Sequence, residues 1–349
     1  MKHVFIIHSN ITYLSALGVI MKEKINLDDV VILSWNNFQR EEPVKVHRVK
    51  QYDAVRNIFR HPIDYIFKVR YLDRTIAKLV DYEPYIAYTE ALYFFHDVVV
   101  THPLCQKFNF IEEGLVVYAK EINWQQQTAN YSQQPCYRYC GWSGFLQKLR
   151  DIKMIVQGYK LEMLGLPAFY NAFFCTRDIK FYGFCEQSFY GVEHREVMDI
   201  KAIGKHYKWS LYYRQLKDVD IWLGQNNPQG GNALIDTYVK AIEIGCAQRL
   251  LSQGKKKVMV KFHPFEEQYA KEQTIAMFNR HGIAVEIIPD EVILELELMN
   301  SENVRLYSVC SSLLVYAALM GVECNSIICH MPEESMVDAP IIFEKCNMV

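Results

Sequence analysis

The sequence predicts an α/β protein of two lobes, each with a parallel sheet, separated by a cleft. Three observations carry this. Short β-rich runs alternate with amphipathic stretches along most of the chain, which is the pattern of strands joined by crossover helices. That rhythm is broken once, over residues 121–212. The length of 349 residues exceeds one ordinary domain, at about 100–200 residues each.

The elements follow in order. Val4–His8 is a β-rich run, then Ser9-Asn10 leads into a helical segment over Tyr13–Lys24, and Val30–Trp35 is a second strand. Further strands are expected at Tyr85–Tyr88, Val98–Thr101, Phe108–Ile111, Ile221–Leu223, Val258–Phe262, Ala284–Ile288, Arg305–Ser308 and Ser326–His330. Asn232–Ser252 and Glu267–Arg280 have one apolar face and suit crossover helices. Residues 121–212 are instead rich in aromatic and Gln residues, among them Trp124, Gln125, Tyr137, Trp142, Tyr207 and Trp209. The rhythm resumes after Lys217, which places the boundary near residue 214 and the lobes at 1–214 and 215–349.

Composition excludes several classes. Half the residues are hydrophobic and 22% charged, so the chain has ample core and no signature of disorder. Lys+Arg 38 against Asp+Glu 40 gives a net charge of −2, without the basic excess of a nucleic-acid binder. The ten cysteines are scattered with no CxxC pair and read as reduced thiols of a cytoplasmic protein. No apolar run approaches the roughly 18 residues of a membrane span, and the first residues lack the apolar centre of a signal peptide.

Ligands of doubly wound sheets bind beyond the carboxyl ends of the strands, so residues just after strands are the candidates. Glu112-Glu113-Gly114 follows Phe108–Ile111 directly; adjacent carboxylates repel, which suits one to general-base work, although a solvated acidic turn has the same pattern. Lys261-Phe262-His263-Pro264 ends the strand after Val260. Lys and His at i and i+2 point to one side and suit a phosphate, against the alternative of an ordinary strand end closed by proline. Ser311 and Ser312 stand at the start of an apolar helix, as N-caps or as anion contacts. Glu291, in Pro289-Asp290-Glu291 before the acidic helix Val292–Met299, either favours that helix electrostatically or accepts hydrogen bonds from a ribose.

In this order the acidic pair with glycine, the Lys-x-His-Pro run, the acidic helix and the serine pair resemble the bacterial sialyltransferases. The nearest branch is glycosyltransferase family 52 with the related polysialyltransferases. The likeness is greatest over 218–321 and slight over 115–215. It implies a GT-B-type fold and inverting transfer of sialic acid from CMP-sialic acid to a hydroxyl of a glycan acceptor, lipid-linked, on a bacterial surface polysaccharide. Glu113 would be the general base and His263 would protonate the departing phosphate. Lys261, Ser311 and Ser312 would hold that phosphate and Glu291 the ribose or cytosine. Gly224, Gln225 and Asn226 would line the donor site, with Glu112, Gly114 and Pro264 supporting. No metal or other cofactor would be needed. This chain has Glu at both acidic positions where many relatives have Asp, which moves the carboxylate by about one methylene.

Other features read more plainly. Asp218-Val219-Asp220 has the form of a DxD metal motif but precedes a strand, and is read as solvated. His102-Pro103 is a loop, and Cys136 with Cys140 lacks the second pair a zinc site needs. Lys205–Lys217 mixes basic and aromatic residues, as a solvated helix–loop or as a peripheral contact with an anionic membrane. Two alternatives remain for function: another two-lobed glycosyltransferase, for instance with a Kdo donor, and a non-catalytic assembly factor for surface polysaccharide.

Overall fold

The computed structural model describes residues 1–34, 38, 40–49, 62–90, 96, 99–100, 102, 104–125, 179–213, 215–225, 232–332 and 340–349. The chain forms two compact lobes, Met1–Glu113 with Lys120–Asp199, and Gly114–Ala119 with Ile200–Val349. The division thus falls after Asp199, ahead of residue 214, and a short piece following Glu113 belongs to the second lobe.

The first lobe is a seven-stranded parallel sheet in the order β3-β2-β1-β4-β5-β6-β7. Its strands are β1 (Lys2–Ile7), β2 (Val30–Ser34), β3 (Val46–Arg48), β4 (Tyr85–Thr89), β5 (Cys105–Ile111), β6 (Phe181–Gly183) and β7 (Glu196–Val197). Val4 to Ile7 are all fully buried, as a central strand covered on both faces requires. The helix after β1 runs Asn10–Lys22, starting earlier than the apolar pattern indicates because Ser9 caps it through a reciprocal pairing with Thr12. Every residue from Ile11 to Ile20 is buried, Thr12 and Ser15 included, so the helix is covered on all sides.

Two features of this lobe differ from the sequence reading, and one reading is not tested. β3, β6 and β7 have two or three residues each, too short for any alternation to show. Val99 and Val100 are helical and not part of a strand, since a short buried apolar run has no period that separates the two. The Cys136, Cys140 and Trp142 region lies outside the described residues.

The second lobe repeats the plan with a six-stranded parallel sheet, β10-β9-β8-β11-β12-β13. The strands are β8 (Asp220–Leu223), β9 (Lys257–Lys261), β10 (Ala284–Ile287), β11 (Arg305–Ser308), β12 (Glu323–Ser326) and β13 (Asn347–Met348). Asn232–Ser252 is helical throughout, as Asn232–Ile242, a π-helical turn at Glu243–Ala247, and Gln248–Ser252. Its face Ile235, Tyr238, Val239, Ile242, Cys246 and Leu250 packs on Val258, Val260 and Phe278 in the lobe's core. Each such side chain contributes roughly 1.5–3 kcal/mol when fully buried. The strand expected at Ser326–His330 lies earlier, at Glu323–Ser326. The Ser326 hydroxyl donates to the Val309 carbonyl at 2.6 Å and accepts the Ile328 N–H, turning the chain into the 3-10 turn Ile328–His330.

In both sheets the strand order reverses once, between β1 and β4 and between β8 and β11. The gap between the carboxyl ends of those strands is the ligand position of such folds. No helix among the described residues is long and apolar enough to cross a membrane.

Candidate active site

At the first lobe's reversal point, the residues just beyond β1, β4 and β5 converge. His8 Nδ1 lies 2.8 Å from Glu90 Oε1, and His8 Nε2 lies 3.1 Å from Glu113 Oε1. His96 Nε2 approaches the same Glu90 oxygen at 3.0 Å. A neutral imidazole has one N–H, so a ring bonded to carboxylates through both nitrogens is an imidazolium. Burial alone would lower the His8 pKa, but the hydrogen bonds and charges of Glu113 and Glu90 outweigh it and push it up to about 10. Burial likewise favours protonation of Glu90, yet the charge on His96 and the hydrogen bonds of the two histidines hold it down to about 2. Glu90 is sealed from solvent while the Glu113 side chain is 27% exposed. Glu113 is therefore the solvent-accessible carboxylate of the pair.

The two adjacent acids part company. Glu112 is fully buried, and its Oε2 accepts the Phe184 N–H and the Ser188 hydroxyl, both at 2.7 Å. Its own carbonyl accepts the Ser15 hydroxyl at 2.8 Å. Glu112 thus ties β5 to the turn after β6, and successive side chains of an extended segment face opposite ways, so Glu113 points away from that turn. Ser188→Ala removes a donor to a buried carboxylate; we expect a loss of about 1–3 kcal/mol in chemical denaturation. An unchanged midpoint would show that the turn re-forms without it. Gly114 has φ +104°, ψ −156°, a conformation open to glycine alone, and its Cα lies against Ser312, where a Cβ would sit 3.8 Å from the Ser312 Cβ.

In the second lobe the reversal point is bridged by Gln225, whose Oε1 accepts the Cys310 N–H at 3.3 Å, and the Ser308 hydroxyl donates to the Leu223 carbonyl at 2.9 Å. Gly224 and Gln225 stand beyond β8, and Asn226 lies outside the described residues. Ser311 caps the helix Ser312–Leu319, its Oγ accepting the Leu313 N–H at 3.3 Å, which is the capping role its position suggests. His263 follows β9, with Nδ1 accepting the Phe265 N–H at 3.2 Å, and burial together with Lys271 lowers its pKa. Lys261 does not share those contacts: its ammonium donates to the carbonyls of Pro289 at 2.6 Å and Asp290 at 3.1 Å. The lysine fastens the loop after β10, so a phosphate would compete with two carbonyls for it. Glu291 is exposed in that loop, and the helix beyond begins at Leu294.

The reading of the DxD motif as solvated is corrected for Asp220, while Asp218 is exposed. Asp220 is buried within β8, where Arg305 Nε approaches Oδ1 at 2.8 Å and Lys255 approaches Oδ2 at 3.6 Å. Asp218 accepts from Asn303 at 3.0 Å. Both lie at the amino-terminal strand edge, beside a cavity of about 480 Å³ lined by Asp218, Lys255, Arg305 and Glu323 among others. Tyr212 and Tyr213 are held through their N–H groups by the Glu297 carboxylate, at 2.6 and 3.2 Å.

Reading from sequence passed over His8, Glu90 and His96. The signal for the first two was present, since each is the first polar residue past the end of a buried strand. His96 lies in no such position.

Two Rossmann-like lobes define a fold of the GT-B type. No protein-family model matches the sequence, and no curated protein matches it significantly. Solved structures do. The Listeria monocytogenes protein described as a UDP-N-acetylglucosamine 2-epimerase aligns at TM-score 0.54 with 10% identity, over 98% of this chain and 82% of that one. The UDP-GlcNAc 2-epimerase of Methanocaldococcus jannaschii aligns at 0.50 with 12% identity, over 100% and 89%. E. coli heptosyltransferase WaaC, solved with ADP-2-deoxy-2-fluoro heptose, aligns at 0.45 with 11% identity, over 93% and 88%. At such low identity the two alignments at TM-score 0.50 or above show a shared fold alone.

The resemblance to sialyltransferases, and with it CMP-sialic acid as partner, is therefore corrected: the solved structures that align at TM-score 0.50 or above are described as UDP-GlcNAc 2-epimerases. The physical reason lies in the motifs. Acid–glycine, His-Pro and Ser-Ser pairs are what strand ends and helix caps of any doubly wound sheet collect, so their order reported the fold and not the donor.

Proposed function

We propose that this protein is an enzyme acting on a nucleoside-diphosphate sugar, as a GT-B-type glycosyltransferase. The observation that carries this reading is the Glu90–His8–Glu113 chain at the first lobe's reversal point. Glu113, oriented by a cationic His8 that is itself anchored on buried Glu90, accepts the proton of an attacking hydroxyl as the sugar–phosphate bond breaks. The fold supports the donor class, since chains of this architecture include proteins whose descriptions name UDP-GlcNAc and ADP-heptose ligands. In the second lobe His263 carries its proton on Nε2 when neutral, because Nδ1 accepts the Phe265 N–H. That N–H suits a phosphate oxygen, and the Gln225, Ser311 and Ser312 edge completes the donor side. The transfer proceeds without a metal.

A second reading, nucleotide-sugar epimerisation, is favoured by the same pair. A carboxylate and an imidazolium side by side can take a proton from a sugar carbon and return one. A panel of UDP- and ADP-sugars, assayed with EDTA present for nucleotide release and for deuterium uptake into the sugar, separates the two. Release with an acceptor sugar supports transfer, and deuterium at a ring carbon supports epimerisation. Neither, with any nucleoside-diphosphate sugar, would overturn both.

A further inference from the structure

The turn that carries His263 is held from beneath by a carboxyl group. Glu266 is 5% exposed. Its Oε2 accepts the His263 backbone N–H at 3.1 Å, and its Oε1 accepts the Tyr238 hydroxyl at 3.3 Å. Tyr238 is fully buried on Asn232–Ile242, in the core of the lobe. Gly224 closes the third side: a Cβ there would lie 1.9 Å from Glu266 Oε2 and 3.1 Å from the His263 nitrogen. The absence of a side chain after β8 is what makes room for this carboxyl. One group thereby joins the exit of β8, the crossover helix and the exit of β9, at the edge where the donor is proposed to bind.

We propose that Glu266 is the positioning residue of the donor side, holding the His263 turn against Tyr238 and Gly224, and that gain or loss of its proton loosens or tightens that hold. The link to donor binding rests on the function proposed above; the hold itself does not. Ionised, Glu266 accepts both the His263 N–H and the Tyr238 O–H, and hydrogen bonds to a charged acceptor are the stronger kind. Protonated, one oxygen must donate, and the bond to His263 becomes neutral. Burial pushes the carboxyl up to about 7, against the His263 N–H, the Tyr238 hydroxyl and the charge on Lys271. Among the described residues the groups that face it are Tyr238 from the crossover helix, the His263 turn from β9 and Lys271 from Gln268–Arg280, with Gly224 on the β8 side.

The test compares the whole protein with Glu266→Gln, which keeps the shape and imitates the protonated form. In heat unfolding without ligand, a carboxyl raised in the folded state is penalised once it ionises. The Tm of Glu266→Gln relative to wild type is thus expected to climb between about pH 4.5 and pH 7 and to level off above that. A difference that stays constant overturns the proposal. In turnover with the nucleotide sugar that the panel identifies, wild-type kcat is expected to rise about tenfold between pH 6 and pH 8, following ionisation near 7. In Glu266→Gln that rise should vanish while KM stays close to wild type, and an unchanged pH profile overturns the proposal. If neither protein turns over any nucleotide sugar, the functional reading falls and the unfolding comparison still decides the role of Glu266. Should Glu266→Gln not fold, Tyr238→Phe decides instead. Loss of one stabilising donor should move the midpoint of the pH dependence upward, and a midpoint that does not move overturns the proposal.

Discussion

Glu113→Gln is expected to lower kcat by about 10²–10⁴-fold, the contribution of a positioned general base. The amide is nearly isosteric, and its oxygen still accepts from His8 Nε2, which lies 3.1 Å from the carboxylate in the native site. Fold and His8 orientation are therefore retained while the basic oxygen is removed. Nucleotide binding, assigned to the second lobe, should persist in calorimetry with the free nucleoside diphosphate. A kcat within about threefold of wild type would remove Glu113 from the reaction, because general-base catalysis has no substitute in a carboxamide. Glu112→Gln is the informative companion. Its carboxylate is buried between the Phe184 N–H and the Ser188 hydroxyl, so the change should appear in stability and not in the pH profile of turnover.

His8→Ala should be the most costly single change to the first lobe. It strips the cation from two carboxylates, one of them sealed in the protein, and breaking a buried ion pair by removing one partner costs about 3–5 kcal/mol. His96 still faces Glu90 at 3.0 Å, which places the expected loss toward the lower end of that range. The pH dependence has a definite sign. The His8 pKa is raised from 6.5 to about 10, so its contribution is complete below 6.5 and is lost as pH climbs through 10. The Glu90 pKa is depressed from 4.5 to about 2, so its contribution is present above 4.5 and is lost as pH falls through 2. Denaturation of wild type and His8→Ala should differ most between about pH 4.5 and 6.5 and converge toward pH 10. A gap independent of pH would mean that His8 stabilises by packing alone.

Particular residues show why the site was only partly legible. Glu113 and His263 stand out as candidates because a polar residue after a buried strand is a local pattern, visible without knowing the sheet order. The same rule applies to His8 and Glu90, but their significance comes from pairing with each other, and they are 82 residues apart. Lys261 was read as a phosphate contact from its alternation with His263. The carbonyls that take its ammonium belong to Pro289 and Asp290, 28 and 29 residues on, beyond any local window. Asp220 read as solvated because it precedes a strand; in the fold it lies within β8 beside Arg305 at the start of β11.

By itself, then, the sequence determined two doubly wound lobes and the edge of each sheet where ligands belong. Those follow from hydrophobic period and from turn and cap chemistry, which act between near neighbours. The tertiary structure decided which edge residues meet. Placing β1 between β2 and β4, and β8 between β9 and β11, brings His8 to Glu90 and Gly224 to Glu266, and no spacing along the chain encodes those meetings. Surroundings settled the rest: the two carboxylates outweigh burial to make a cation of His8, the two histidines outweigh it to make an anion of Glu90, and burial pushes the Glu266 carboxyl up, because the charge a group carries depends on what surrounds it once the chain is folded.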